Sequence, residues 1–203
     1  MREILKMIVV LAVITGVSGL LLAGVNEGTR EQRKQQILQY VKGPAVEDVL
    51  RGCTNNPLND VKELALTPEE TGGQIDAAPV DIFPGFKDGK LWAVALEDAS
   101  GGFGGDIGVI VGIGVESGEI VGIGITTHKE TPGLGSRVTE AGFRSAFAGV
   151  PLDEEVKVVG DGGQVDAISG ATISSRAVCV AVNNAVAFYE KNKDKILSAA
   201  EAK

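Results

Sequence analysis

Ile107-Gly108-Val109-Ile110-Val111-Gly112-Ile113-Gly114-Val115 and, after Glu116-Ser117-Gly118-Glu119, Ile120-Val121-Gly122-Ile123-Gly124-Ile125 form the stretch from which the fold is read. Branched residues at 107, 109, 111, 113 and 115 alternate with Gly108, Ile110, Gly112 and Gly114. The alternation resumes at Val121, Ile123 and Ile125 against Gly122 and Gly124. A period of two places successive side chains on opposite faces of a strand. The two runs therefore predict a β-hairpin, with Gly118 at a left-handed position in its turn. One face is branched and core-forming. The other is nearly bare, so a helix or a planar ligand can lie close to the backbone. Gly112-x-Gly114 is not a dinucleotide fingerprint, because a hairpin turn follows it and not a helix.

Working outward, Lys90 to Glu97 carries Trp92, Val94 and Leu96 at period two and predicts the preceding strand. Gly101-Gly102-Phe103-Gly104-Gly105 is a loop between them. On the other side, the hairpin runs into Thr126-Thr127-His128-Lys129-Glu130-Thr131-Pro132-Gly133-Leu134-Gly135, a loop constrained by Pro132 and two glycines. His128 is the sole histidine. Beside a turn it reads as a hydrogen-bonded structural residue, not an acid or base. Glu140 to Ala148 predicts a short helix with Phe143 and Phe147 one turn apart, and Val156 to Val159 a brief strand.

The chemistry-bearing stretch is Asp166-Ala167-Ile168-Ser169-Gly170-Ala171-Thr172-Ile173-Ser174-Ser175-Arg176. A helical pattern starts near Thr172 and runs to about Ala200, apolar on most sides between Ala177 and Phe188, which predicts burial against a sheet. Ser169 is a candidate N-cap. Gly170 supplies a tight turn without a Cβ. Thr172 places a hydroxyl in the first turn, where unpaired amides and the positive end of the helix dipole favour a phosphate. Taken alone, the same stretch also fits an ordinary capped helix.

Met7 to Val25 carries no charged residue, close to the roughly 20 residues that cross a hydrocarbon core of about 30 Å. A cleaved signal peptide would have a shorter apolar region of about 7–15 residues and a small-x-small site, so the segment is an uncleaved anchor. Small residues (Ala12, Thr15, Gly16, Gly19, Ala23) recur along it, either as a docking face for other membrane helices or as the small residues such helices ordinarily contain. Thr29 to Lys42 predicts a helix ended by Gly43-Pro44, a stalk or the first helix of the domain. Val46 to Arg51 continues helically until Gly52–Pro57, and residues 55–80 suggest loops. Basic residues on the two sides of the span are close to balanced, so the positive-inside rule does not fix orientation.

Among 203 residues, 44% are hydrophobic and 4% aromatic, so aliphatic side chains and alanine must build the core. A net charge of −8 without a basic patch excludes nucleic acid. Cys53 and Cys179 match no metal-ligand spacing. Cys179 reads as a small core residue, and a pairing of the two stays unassigned.

Asp166-x-x-Ser169-Gly170-Ala171-Thr172 resembles the flavinylation motif of the FMN-binding domain family. Together with His128-Lys129-Glu130-Thr131-Pro132-Gly133-Leu134-Gly135 behind a single anchor, the chain resembles the G subunit of the Rnf electron-transport complex and its cousin, the C subunit of the sodium-translocating NADH:quinone reductase. The resemblance implies an α+β fold: one N-terminal transmembrane helix, then an FMN-binding domain whose antiparallel sheet is packed by helices. It divides the chain into a cytoplasmic N-terminus (1–6), a span (7–25), a stalk of helix and loop (26–88) and the FMN-binding domain (89–203) outside the inner membrane.

The family places FMN covalently on the threonine, here Thr172, through an ApbE-type flavin transferase that splits FAD. By the same resemblance, Ser169, Gly170, Ala171 and Ile173 line the phosphate, Thr131, Pro132, Gly133 and Leu134 border the ring, and Asp166 serves transferase recognition. The implied role is electron relay between ferredoxin and NAD within an ion-translocating membrane complex, with other membrane and redox subunits as partners. The chain would not be an enzyme by itself, as no strand–Gly-rich turn–helix signature for NAD(P)H is present. The alternative is an anchored module that binds or senses flavin without covalent attachment. A hydrolase using Ser169 or Thr172 is disfavoured, because no base-and-orienter pair accompanies either hydroxyl.

Overall fold

The structure, a computed structural model, describes residues 2–65 and 79–202. The helical segments at the start are α1 (Arg2–Gln36), a π-helical turn (Ile37–Lys42) and α2 (Gly43–Val49). Strands β1 (Lys62–Leu64), β2 (Val80–Lys87), β3 (Lys90–Gly101), β4 (Asp106–Gly114) and β5 (Ile120–Thr127) follow. The short helix α3 (Ala141–Arg144) and the long α4 (Thr172–Glu201) complete the chain. Two compact units result, residues 1–40 and 41–203.

In the first unit, α1 encloses the predicted span 7–25 and buries none of its residues. Leu11, Leu20 and Leu22 are among the large side chains left open along it. The helix is long and apolar enough to cross a membrane.

The expected stop at Gly43-Pro44 is corrected. These residues begin α2 directly after the π-helical turn, with Pro44 in its first turn, so the chain stays helical through them.

The five strands form an antiparallel meander in the order β1-β2-β3-β4-β5. In the predicted hairpin, β4 pairs with β5 (Val111 opposite Ile123, Gly112 opposite Gly122), and Gly118 in the turn has φ 66°. The branched face of β4, with Val109, Val111 and Ile113, meets Ala177, Val178, Ala181, Val182 and Ala185 of α4 in the main core. The bare face is taken by α2. A Cβ at Gly112 would stand 2.4 Å from Val49 Cγ1, and one at Gly124 would stand 2.8 Å from Ala45 Cβ. A helix, not a ligand, therefore occupies the glycine face. The sheet lies between α2 and α4, and Phe83, Ala93, Ala95 and Ile110 are buried on the α2 side.

Ionic contacts fasten this side. Lys42 Nζ lies 2.7 Å from Asp81 Oδ2 and 2.8 Å from Glu97 Oε2. Arg144 of α3 joins Asp48 of α2. Burial works against the Lys42 charge, but its two carboxylate partners outweigh it and raise the ammonium above its ordinary value.

Several local expectations change. The loop expected over 55–80 contains β1 and the first residue of β2, while 66–78 lies outside the described residues. Val156–Val159 is not a strand. Asn183 of α4 satisfies the backbone of Val156 with its own amide, accepting at 2.9 Å and donating at 2.9 Å. Only a single bridge, Val158 with Val165, remains there. The predicted helix near Phe143 is α3 followed by a short 3₁₀ turn, and the Phe143 and Phe147 rings meet edge to face with centroids 5.4 Å apart. Cys53 and Cys179 are free thiols, and burial pushes Cys179 up to about 11.

Candidate functional site

The N-terminal end of α4 opens into a cavity of about 300 Å³, at the small end of the range for ligand pockets. Phe103, Glu130, Thr131, Leu134, Gly135 and residues 170–174 line it. The cavity thus joins the end of the β3–β4 loop, the loop after β5 and the first turn of α4. Its polar groups cluster at the helix end. Phe103, Leu134 and Ile173 offer exposed apolar surface, which suits a planar aromatic group.

Helix α4 begins at Thr172, as the sequence predicts, but Ser169 does not cap it. The capping position is Ala171, and no side chain bonds there. Alanine has no acceptor to offer the first amides. Gly170 adopts φ +79°, a conformation that needs glycine, and brings the chain into the helix. The Ala171 amide donates to Ile168 O at 2.8 Å, and the first helical bond is Ser175 N to Ala171 O at 3.0 Å. The amides of Thr172, Ile173 and Ser174 thus have no acceptor within the helix, an arrangement that favours an anion. The Thr172 side chain is exposed beside them.

Of the residues singled out in the sequence, Thr131, Leu134, Gly170, Ala171, Thr172 and Ile173 come together at this cavity. Ser169 and Asp166 are exposed outside its lining, and Pro132 and Gly133 belong to the same loop without lining it. Gly133 N donates to Ser136 Oγ at 2.9 Å and Leu134 N to Thr131 O at 3.2 Å, so these two amides hold the loop itself. His128 acts structurally, its Nδ1 accepting from Glu130 N at 3.3 Å.

The residue that sequence reasoning missed is Glu130. It is 5% exposed. Its Oε2 accepts from Ser174 Oγ at 2.5 Å and its Oε1 from Gly104 N at 2.9 Å. Burial pushes its carboxyl up, but the Ser174 hydroxyl and the Gly104 and Phe103 amides outweigh this and hold it below the usual carboxylate value. One side chain thereby ties the β3–β4 loop and the loop after β5 to the first turn of α4. Gly102 and Gly135 make room for it, since a Cβ at either would stand 2.5 Å from a Glu130 oxygen. The available signal was an acidic residue between two glycine-rich loops that leave no space for side chains.

Arg176 stands one turn beyond Thr172 and forms a two-point pair with Asp161, each bond 2.6 Å.

The FMN-binding domain family model matches residues 102–187, from the Glu130-bound loop into α4. A relative from Methanosarcina acetivorans, the G subunit of an ion-translocating oxidoreductase complex, is 32% identical over 91% of this chain and 94% of its own. The protein of the same name from Pseudomonas aeruginosa strain UCBPP-PA14 is 32% identical over 89% of this chain and 82% of its own. In fold, the chain is similar to the crystal structure of NqrC from Shewanella oneidensis, with TM-score 0.53, 23% identity and 72% of each chain covered. It is also similar to the C subunit of the Na⁺-translocating NADH-quinone reductase from Parabacteroides distasonis, with TM-score 0.55, 18% identity, and 86% of this chain and 98% of that one covered. With a likeness to its relatives over about nine-tenths of its length, an apolar N-terminal helix and a match to the FMN-binding domain over residues 102–187, the chain belongs to the G-subunit family of the ion-translocating Rnf oxidoreductase complexes.

Proposed function

We propose that the chain relays electrons in an Rnf-type, ion-translocating complex between ferredoxin and NAD, through FMN joined by a phosphoester to Thr172 Oγ1. The observation that carries this reading is the uncapped first turn of α4: an exposed threonine hydroxyl beside free amides, at the mouth of a cavity with apolar walls. A phosphate on Thr172 would accept from the amides of Ile173 and Ser174, while Phe103, Leu134 and Ile173 shield one side of the ring. The flavin supplies one-electron chemistry, and this chain supplies its position.

In the attachment reaction, Thr172 Oγ1 forms a bond to the FMN phosphorus of FAD, the pyrophosphate bond breaks and AMP leaves. An ApbE-type transferase supplies the catalytic groups. That enzyme would recognise Asp166 and Ser169, a reading supported by their exposure beside the turn. Residues 7–25 anchor the chain in the inner membrane with residues 1–6 in the cytoplasm. The stalk and domain (26–203) lie on the far side, in contact with other membrane and redox subunits.

The full-length protein, co-expressed with a flavin transferase, should keep flavin fluorescence through a denaturing gel. Peptide mass spectrometry should place the added FMN on the peptide holding Thr172, and Thr172→Ala should remove it. A fluorescent Thr172→Ala band would exclude the site. Flavin lost on denaturation of the wild type would favour an anchored module that binds flavin reversibly.

A further inference from the structure

We propose that the Glu130 carboxylate is a fixed negative charge that lowers the reduction potential of FMN held in the adjoining cavity. The inference rests on the flavin reading of the site given above. Among the described residues lining the cavity, Glu130 alone carries a charge. None of the described Lys or Arg residues pairs with it, and His128 meets it only through the Glu130 amide, which donates to Nδ1. Donors from Ser174 and Gly104 fix both oxygens, and the close backbone of Gly102 and Gly135 leaves the carboxylate no room to swing away.

Such a charge is more than a structural tie. Buried away from water, it is weakly screened, and its interaction with a second charge is much stronger than at the surface. An electron added to the ring raises the negative charge in the same small space, so Glu130 opposes reduction. For a ring about 10 Å away at an effective dielectric constant of about 20, the Coulomb relation gives on the order of tenfold in the reduction equilibrium. The cavity is therefore built to keep its flavin a strong electron donor once reduced.

The test uses the full-length, FMN-loaded protein in detergent, titrated with dithionite in the presence of mediators. Glu130→Gln keeps the side-chain shape and an acceptor oxygen but removes the charge. It should favour reduction about tenfold, a rise of about 59 mV for a one-electron step. Ser174→Ala breaks the same hydrogen bond but leaves the charge, now without its hydroxyl donor, and should disfavour reduction by about threefold.

Opposite signs for the two variants separate charge from structure, since a purely structural tie would move both in one direction. A change below twofold in Glu130→Gln, or an upward shift in Ser174→Ala, would overturn the inference. Should Glu130→Gln fail to fold, the sign of the Ser174→Ala shift decides alone. Wild-type protein without attached flavin would overturn the flavin reading itself, whereas attached flavin with unshifted potentials would sink only the role of Glu130.

Discussion

At the scale of single residues, Glu130 and Thr172 differ in setting at the α4 cavity. Thr172 is exposed and reactive in type, while Glu130 is buried and fully bonded. The depressed Glu130 carboxyl links to stability with a definite sign. Its proton is held less tightly in the fold than in the unfolded chain, so it contributes stability above the ordinary glutamate value of about 4.3. That contribution disappears as pH falls through the folded-state value. Urea unfolding of the wild type should therefore lose more stability between pH 7 and pH 3 than that of Glu130→Gln. Equal losses would contradict the linkage. The motif around Thr172 was legible in sequence because its chemistry is local: one hydroxyl, one left-handed glycine, one helix start. Glu130 was not, because its partners lie 26 and 44 residues away in the chain and only the folded loops bring them together.

Among the elements, the β4–β5 hairpin and α4 were legible for a related reason. Both announce themselves by periodicity within a single segment. Strand β2 contains Pro84 and Gly85, which break the alternation that marks the other strands. The structure accommodates them because β1 pairs with β2 only from Val80 to Ile82. Beyond that point Asn55 takes over the edge, its side chain bonding Pro84 O and Phe86 N, so the missing proline N–H interrupts no ladder. Helix α2 was legible from Val46 onward, and only its start was misplaced, because Gly43-Pro44 read as a stop.

The seat of α2 gives a sharp test. Gly122 faces open space, whereas a Cβ at Gly124 would press on Ala45, including its backbone Cα and O at 3.0 Å. Gly124→Ala should lower the unfolding free energy by about 1–3 kcal/mol, the usual range for overpacking, and Gly122→Ala should be nearly neutral. Comparable denaturation midpoints for the two variants would refute the close packing of α2.

For the whole molecule, the testable feature is the side of the membrane on which the FMN-binding domain lies. Sequence charge could not decide it, since Arg2, Lys6 and the terminal amine on one side are balanced by Arg30, Arg33 and Lys34 on the other. The proposed arrangement puts the domain outside the inner membrane. Ala202 is exposed past the end of α4, whereas Ala199 packs against the core, so Ala202→Cys is the better reporter. In a background of Cys53→Ser and Cys179→Ala, a membrane-impermeant thiol reagent should label it in cells whose outer barrier is open. Labelling only after the inner membrane is breached would establish the reverse orientation.

The meander also sets an order of assembly. Each strand pairs with the one made just before it, so the sheet can zip up from near neighbours during synthesis, with little chain to close at each step. Helix α4 covers β3 and β4 yet is translated after all of them. Until it docks, the apolar face of those strands stands bare, and Glu130 has no Ser174 to meet. The helix that completes the core is also the helix that bears Thr172. A transferase that reads the finished loop–helix corner would therefore act on folded chains only, and modification would double as a record that α4 had docked.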